Sequence, residues 1–171
     1  MMEENPYKPL FDRQMNRYLE VGQTGWKERL SKLKALKRAL EHEYRQPIRE
    51  ALYKDFKKPY LETDLTEIYP VLAAIRHAER NLRQWMKAKN VSSPLTMVGS
   101  RSYIEYESKG VCLILSPWNF PLNLTMDPLV SAIAAGNCCI LKPSESTPAT
   151  SQVMQEIIDS LFDPAEVALV Q

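Results

Sequence analysis

The sequence predicts an α/β fold in which an N-terminal helical segment precedes the first βαβ part of a parallel sheet. Before Gly110, apolar residues recur mainly at steps of three and four, which is typical of amphipathic helices. After Gly110, two continuous apolar runs flank a mostly apolar helical segment. Such runs are typical of parallel strands that are joined by a crossover helix.

Charge and cysteine content also change near Gly110. Of the 22 Lys and Arg residues, 21 precede it, whereas all three cysteines follow it. The apolar runs are too short to cross a bilayer, and the N-terminus lacks the pattern of a secretory signal. Three cysteines, two of them adjacent, give no disulfide framework. We therefore expect a cytoplasmic protein with reduced thiols and no membrane segment.

Helical periodicity covers most of the first 90 residues. Residues 10–20 predict a first helix, whose apolar side is formed by Phe11, Met15, Tyr18 and Leu19. The strongest periodicity follows, in Trp26, Leu30, Leu33, Leu36, Leu40 and Tyr44. Another helical stripe runs through 48–56, and a long helix is expected at about 61–87, where Pro70 indicates a kink or a late start.

The following segment changes from loop to strand. Residues 90–100 predict a crossing loop, and the alternation in 101–107 predicts a strand with a partly solvated face. The continuous apolar run Val111–Leu115 predicts a strand that is covered on both faces. A mostly apolar helix is expected over 122–135, and Gly136 is a suitable C-terminal stop.

A second buried strand is predicted at 138–141. Thr147 and Pro148 then open another helix, with Thr147 as the N-cap and Pro148 at the first helical position. A third strand begins at Val167. The segment between the first two strands is long enough for a right-handed βαβ unit.

Asn119 is the main candidate for chemistry. It follows the first buried strand, and Pro117 and Pro121 restrict the backbone around it. A rigidly held side-chain amide can donate a hydrogen bond to a developing oxyanion. The residues alone also allow Asn119 to be a cap of the next helix, and they favour that simpler role.

Lys142 and Glu145 follow the second buried strand. Ligands of open α/β sheets bind at the carboxyl ends of the strands. Lys142, the single basic residue after Gly110, can reach ribose hydroxyls or a phosphate there, and Glu145 can accept from a ribose hydroxyl. A solvated strand end with a local ion pair is the alternative.

The cysteines and histidines give weaker signals. Cys112, Cys138 and Cys139 lie in apolar strand runs, where burial raises the pKa of a thiol and lowers its reactivity, so we expect structural cysteines. His42 and His77 are 35 residues apart and have no metal-ligand spacing, so we expect both on helix surfaces.

Nucleic-acid binding is disfavoured. The basic residues of the strongly periodic helix lie between its apolar positions and predict a solvated face: Lys27, Arg29, Lys32, Lys34, Lys37 and Arg38. The sequence also has no glycine-rich phosphate loop, so dinucleotide binding cannot be argued from such a motif.

Three blocks resemble the N-terminal part of NAD(P)-dependent aldehyde dehydrogenases. They are 116–121 (Ser-Pro-Trp-Asn-Phe-Pro), 134–137 (Ala-Ala-Gly-Asn) and 141–145 (Leu-Lys-Pro-Ser-Glu). Residues 51–55 (Ala-Leu-Tyr-Lys-Asp) with Lys58-Pro59, and 65–68 (Leu-Thr-Glu-Ile), are similar to the family's N-terminal helices. The early position of the Trp-Asn block and the lack of a long N-terminal arm look like the class 3, fatty-aldehyde-like branch.

The resemblance implies an incomplete aldehyde dehydrogenase fold. Residues 1–100 would be the N-terminal helical region of the cofactor-binding domain, 101–109 an oligomerisation-type strand, and 110–171 the first half of a Rossmann-like dinucleotide-binding domain. The implied activity is oxidation of aldehydes to carboxylic acids with NAD or NADP, through attack of a cysteine thiolate on the aldehyde. For the full-length protein, the resemblance implies a homodimer.

The resemblance also implies roles for particular residues. Asn119 would stabilise the oxyanion, and Lys142 and Glu145 would hold the adenosine ribose. The nicotinamide half of the cofactor site would be lined by Ser116, Pro117 and Trp118.

The nucleophilic cysteine and the general-base glutamate of the family correspond to no residue of this sequence, so we expect a fragment with weak or absent cofactor binding and no activity alone. A competing expectation is a non-catalytic binding or interaction module that associates through its exposed sheet edge.

Overall fold

A computed structural model describes residues 5–171 and confirms an α/β fold with helices before a parallel sheet. The helices are α1 (Lys8–Gly22), α2 (Trp26–Arg38), α3 (Arg45–Phe56), α4 (Tyr60–Thr63), α5 (Tyr69–Trp85), α6 (Pro121–Ala135) and α7 (Pro148–Leu161). The strands are β1 (Lys89–Val91), β2 (Ser102–Ile104), β3 (Val111–Leu115), β4 (Cys138–Lys142) and β5 (Val167–Leu169).

The parallel sheet has the order β3-β4-β5. Strand β3 pairs with β4 from Val111 opposite Cys138 to Leu115 opposite Lys142. Helix α6 joins these two strands, which confirms the predicted βαβ unit, and α7 joins β4 to β5. The carboxyl ends of β3 and β4 therefore lie side by side, at the edge where α/β sheets bind ligands.

The apolar stripe with the strongest sequence periodicity contributes to the buried core. Leu33, Leu36 and Leu40 are fully buried in one cluster that also contains Leu122 and Met126 of α6. Helices α2 and α6 thus bury their apolar faces in a common core. Among residues 5–171, no helix has the length and apolar character that crossing a membrane requires.

Two short π-helical turns interrupt the helical region. Ala39–Glu43 connects α2 to α3, and Asp64–Ile68 connects α4 to α5. The predicted helix at 61–87 is therefore divided, and Pro70 lies in the first turn of α5, directly after the π-helical turn Asp64–Ile68. π-Turns of this kind are frequent at functional sites.

The first helix forms as predicted but is longer, and it buries a polar residue. Phe11, Met15 and Leu19, on the predicted apolar side, are exposed, whereas Gln14 is fully buried. Gln14 Nε2 donates to the carbonyl oxygens of Cys139 and Pro164, both at 3.0 Å. Both bonds satisfy the amide nitrogen, which allows this polar residue to face the sheet, whereas among residues 5–171 the Gln14 Oε1 has no hydrogen-bond partner.

The predicted loop at 90–100 and strand at 101–107 need correction. Strand β1 includes Asn90 and Val91 and pairs antiparallel with β2, which is only three residues long. The two short strands form a separate two-stranded sheet. Because β1 has no apolar alternation of its own, its strand state follows from pairing with β2.

The expectation that β3 is covered on both faces is wrong. Leu113 and Leu115 are 61% and 68% exposed, whereas Cys112 and Ile114 pack against the core. Strand β3 is also an edge of the sheet. A continuous apolar run reports only that neither face is polar, so it does not determine which face receives a packing layer.

The prediction that the basic residues of α2 form a solvated face is only partly correct. Lys27, Lys34 and Arg38 are exposed, but Arg29 is buried. Its guanidinium donates to the carbonyl oxygens of Ala134 (3.1 Å) and Gly22 (2.7 Å). Arg29 therefore serves as a structural donor inside the protein.

Lys32 and Lys37 are also only partly exposed, and each pairs with an acidic residue. Lys32 pairs with Glu166 at 2.6 Å and Lys37 with Glu79 at 3.2 Å. The half-buried lysines of α2 thus connect it to neighbouring segments.

The end of α6 and the start of α7 test two capping predictions. Gly136 ends α6 in the left-handed region with φ +79°, as predicted. Thr147 precedes α7, but its hydroxyl donates to the Ser144 carbonyl and does not cap the helix. Asp55 of α3 takes that role and accepts from the N–H groups of Ala149 (3.2 Å) and Thr150 (2.8 Å).

Candidate functional site at the ends of two parallel strands

The structure brings the two predicted groups of site residues together. The Ser116 N–H, directly after β3, donates to the carbonyl oxygen of Lys142, the last residue of β4, at 3.1 Å. This bond extends the ladder by one residue beyond the two strands. The loop that carries Asn119 therefore starts beside Lys142.

Ser116, Pro117 and Trp118 differ in burial. Ser116 is buried, and among residues 5–171 its Oγ has no hydrogen-bond partner. Pro117 and Trp118 are exposed, and the Trp118 ring lies 6.4 Å from the Phe56 ring, centroid to centroid. An unpaired buried hydroxyl is unfavourable, so the Ser116 Oγ is a polar group that a ligand can satisfy.

Asn119 is exposed and does not cap α6. The residue before the helix is Phe120, and the Asn123 N–H in the first turn donates to Glu67 Oε2 at 3.0 Å. The helix-cap interpretation of Asn119 is therefore wrong. Asn119 lies in the loop between the end of β3 and the start of α6, and Glu67 holds the start of α6 in its place.

Glu67 and its partner Lys58 are the residues that sequence reasoning missed. Both are buried, and Lys58 Nζ lies 2.5 Å from Glu67 Oε1. Lys58 Nζ also lies 4.6 Å from the centroid of the Phe120 ring. One signal was present: Thr63, Glu67 and Val71 recur at steps of four, and all three are buried. A glutamate on a buried helical stripe indicates an internal partner.

Lys142 and Glu145 form an ion pair with each other. This contact corresponds to the local ion pair that the sequence allowed at the strand end. The Lys142 hydrogen bond lowers the pKa of Glu145. Glu145 is exposed and Lys142 is partly exposed, so both can exchange this contact for one with a ligand at little cost.

A cleft of about 700 Å³ reaches Lys142 along the exposed sheet face. Its apolar walls come from β3, β4 and α1: Leu113, Leu115, Ile140 and Phe11. This volume lies within the usual range of ligand sites.

The three thiols lie where the sequence placed them, in the strands. Cys138 and Cys139 are buried and Cys112 is partly buried. Burial raises the pKa of Cys138 to about 11, and it raises the pKa of Cys139 as well. Such thiols are protonated and weakly nucleophilic at neutral pH.

The histidines and acidic residues give no sign of a metal centre in the part of the chain described. His42 and His77 are exposed on the helical region, as predicted. Residues 5–171 contain no group of three His, Cys, Asp or Glu side chains placed to hold a metal ion.

Comparison with known proteins identifies a family. The model of the Aldehyde dehydrogenase family matches residues 13–170. The chain is 41% identical over 143 residues to the 4,4'-diaponeurosporen-aldehyde dehydrogenase of Staphylococcus aureus, covering 84% of this chain and 31% of that protein. It is 44% identical over 140 residues to aldehyde dehydrogenase family 3 member B1 of Bos taurus, covering 82% and 30%.

A solved structure gives the same result in three dimensions. The substrate-bound state of Staphylococcus aureus AldH superposes with a TM-score of 0.92 at 36% identity. The match covers 98% of this chain and 36% of that one. The chain thus spans about a third of the length of the relatives that it matches.

Proposed function

The chain belongs to the aldehyde dehydrogenase family, and we propose that its residues serve the NAD(P)-dependent oxidation of aldehydes to carboxylic acids. The observation that carries the proposal is the hydrogen bond from the Ser116 N–H to the Lys142 carbonyl. It places the loop with Asn119 beside the Lys142–Glu145 pair, at the edge of a parallel sheet where ligands bind.

Asn119 is the proposed oxyanion donor. Its exposed side-chain amide stands at the carboxyl end of β3 and is free to donate to a carbonyl oxygen as negative charge develops on it. Loss of one such donor costs about 10²–10³ in rate. Pro117 and Pro121 restrict the backbone on both sides, which keeps the amide oriented before reaction.

The remaining site residues are proposed to hold the nicotinamide cofactor, which when bound accepts the hydride from the substrate. Ser116, Pro117 and Trp118 line the nicotinamide half, and the orphaned Ser116 Oγ fits a polar ligand. Lys142 and Glu145 hold the adenosine ribose, the lysine as donor and the glutamate as acceptor. Among residues 5–171, however, no glycine-rich loop is present to hold the phosphates, so we expect weak cofactor binding by these residues alone.

The covalent steps are assigned to residues other than the three cysteines. Cys138 and Cys139 are buried with raised pKa values, and Cys112 faces the core from β3. We therefore propose that the nucleophilic thiolate and the general-base glutamate are not among these 171 residues. We also propose, from the family resemblance, that the whole enzyme is a homodimer.

Activity with two forms of the protein tests the proposal. The 171-residue chain with NAD and a medium-chain aldehyde should give no sustained formation of reduced cofactor. The protein expressed from the whole gene that encodes these residues should give turnover. Sustained turnover by the 171-residue chain would disprove the assignment of the cysteines, and no turnover by the whole-gene protein would disprove the function.

The exposed edge strand favours a second candidate function, a non-catalytic module that associates through its sheet. Leu113 and Leu115 are exposed on β3, and the edge of β3 is unpaired within residues 5–171. Such an edge promotes association between chains. Size-exclusion chromatography with light scattering should then show a dimer or larger assembly of the 171-residue chain, whereas a compact monomer argues against this role.

A further inference from the structure

The buried ion pair Lys58–Glu67 contacts the chain on the C-terminal side of Asn119. Glu67 divides its two carboxylate oxygens between two partners: Oε1 accepts from Lys58 Nζ at 2.5 Å and Oε2 from the Asn123 N–H at 3.0 Å. Lys58 Nζ also lies 4.6 Å from the Phe120 ring centroid. One ion pair thus contacts both the residue that follows Asn119 and the first turn of α6.

Neighbouring residues complete the contact between the helical region and this loop. The Asn123 side chain donates to the Thr66 carbonyl at 3.3 Å, and the Trp118 ring lies 6.4 Å from Phe56. The residues on both sides of Asn119 therefore pack against the segment 56–67. Asn119 itself is exposed, so the position of its amide depends on how this backbone is held.

We propose that Lys58 and Glu67 are positioning residues for Asn119. The inference rests on the proposed function, in which Asn119 donates to the oxyanion. Lys58 fixes Phe120 by a cation–π contact, and Glu67 fixes the start of α6 by accepting its N–H group. Asn119 is the residue immediately before Phe120 and is held by this pair without touching it.

Both the chemistry and the location of the pair support a positioning role. A buried carboxylate is stable only if its oxygens have donors, and one of the two donors here is the start of α6. The charge of Glu67 is therefore satisfied only when α6 and the preceding loop are docked. Burial of both side chains, 8% and 0% exposed, also prevents water from replacing either donor.

Nuclear magnetic resonance on the 171-residue chain tests the structural half of the inference. Glu67→Met removes both contacts and should lower the backbone order parameters at 118–120 from about 0.85 to below about 0.6. Glu67→Gln keeps an acceptor for Asn123 and should restore most of that order. Phe120→Leu, at an exposed position, removes only the Lys58 cation–π contact; it should also lower the order parameters at 118–119, and unchanged order there would count against the inference even if Glu67→Met folds poorly.

A matched control separates positioning from general destabilisation. Glu79 pairs with Lys37 between α5 and α2, with both side chains partly buried and without contact to the Asn119 loop. Glu79→Met should leave the order parameters at 118–120 unchanged. An equal loss of order in both Met variants, or no loss in Glu67→Met, would overturn the inference.

Kinetics of the whole-gene protein test the catalytic half. Displacement of a catalytic group by about 1 Å can cost about 10² in rate, so Glu67→Met should lower kcat by about that factor. In an Asn119→Ala background, the same Glu67→Met change should lower kcat less than threefold, because the group that Glu67 positions is already absent.

The outcomes distinguish this inference from the proposed function. If Asn119→Ala leaves kcat unchanged, the role of Asn119 is wrong, and the proposed function fails at that residue. If Asn119→Ala lowers kcat but Glu67→Met lowers it by the same factor in both backgrounds, Asn119 is catalytic and the positioning inference is wrong.

Discussion

The two ends of α6 are both held by charged side chains from the N-terminal helical region, but in different ways. At the N-terminal end, Glu67 accepts from the Asn123 N–H and is neutralised by Lys58. At the C-terminal end, Arg29 donates to the Ala134 carbonyl and to other neutral oxygens. Each charge has the sign that the helix dipole favours.

Only the N-terminal end of α6 adjoins the candidate site. Burial lowers the pKa of Arg29, but a guanidinium remains charged, and its hydrogen bonds go to neutral oxygens: the Thr24 hydroxyl and the carbonyls of Ala134 and Gly22. At this end the Arg29 guanidinium lies against Gly136, which is not a candidate site residue. The Glu67 end adjoins the Asn119 loop. Changes at the C-terminal end should therefore affect stability alone, whereas changes at the N-terminal end should affect stability and function.

The largest effect is expected from Lys58→Met. It leaves the Glu67 carboxylate buried without its cation, which typically costs about 3–5 kcal/mol in the free energy of unfolding. Urea denaturation of the 171-residue chain measures this cost. The double variant Lys58→Met with Glu67→Met should recover most of it, and a double variant as unstable as the single one would contradict the uncompensated-charge explanation.

At the other end of α6, Gly136→Ala should cost about 2 kcal/mol or more. The left-handed backbone at φ +79° accounts for about 1–2 kcal/mol, and the new methyl group would also displace the Arg29 guanidinium. Gly99→Ala is the matched control, since Gly99 also has positive φ but open space around it. Equal midpoints of urea unfolding for the two variants would show that Arg29 moves freely.

The same kind of helix end occurs in α7, where Asp55→Ala tests it. Asp55 accepts from the N–H groups of Ala149 and Thr150 and from the Thr150 hydroxyl. Loss of this cap should lower the free energy of unfolding by about 1 kcal/mol. Asp55→Asn keeps one acceptor oxygen and should lose less. A larger loss for Asn than for Ala would contradict capping.

The smallest effect concerns Asp64, an acidic neighbour of Glu67 in the same π-turn. The hydrogen bond from Arg49, followed by that from Arg45, lowers the pKa of Asp64 to about 2. A lowered folded-state pKa gives stability that is present above the unfolded value, near 4, and is lost as pH falls toward 2.

Asp64→Asn therefore compares this partly exposed carboxylate with the fully buried Glu67. At pH 6 the variant should be less stable than the native chain by about 0.5–1 kcal/mol, and the difference should shrink as pH falls from 5 to 2. Urea denaturation at each pH measures it. A difference that does not change with pH would show that ionisation of Asp64 contributes nothing.

Sequence patterns predicted most of the elements because their signals are local. The steps of three and four in α2, Gly136 at the end of α6 and the apolar run of β4 each depend on neighbouring residues. The order of the β3-α6-β4 unit follows from the lengths of these segments.

The predictions failed where contacts between distant segments determine burial or capping. Which face of β3 is buried depends on the elements that pack against it, and the sequence around Leu113 does not show that its side chain is exposed. Buried Gln14 and Arg29 depend on distant carbonyl groups, of Cys139 and Ala134. Asp55 replaced Thr147 as the cap of α7 from almost a hundred residues away.

The candidate site shows the same division. Its strand-end residues were found from sequence because each follows a recognisable strand. Glu67, which holds the start of α6, was not assigned to the site, because its partners Lys58 and Asn123 are brought to it by folding. The Asn119 cap interpretation failed for the same reason.

The role of Asn119 is tested by the turnover number of Asn119→Ala in the whole-gene protein, measured by reduced-cofactor formation at saturating aldehyde and NAD. If Asn119 stabilises the oxyanion, kcat should fall by about 10²–10³ while the stability of the fold is unchanged. An unchanged kcat in a correctly folded variant would contradict the proposal that the ends of β3 and β4 form an aldehyde-oxidising site.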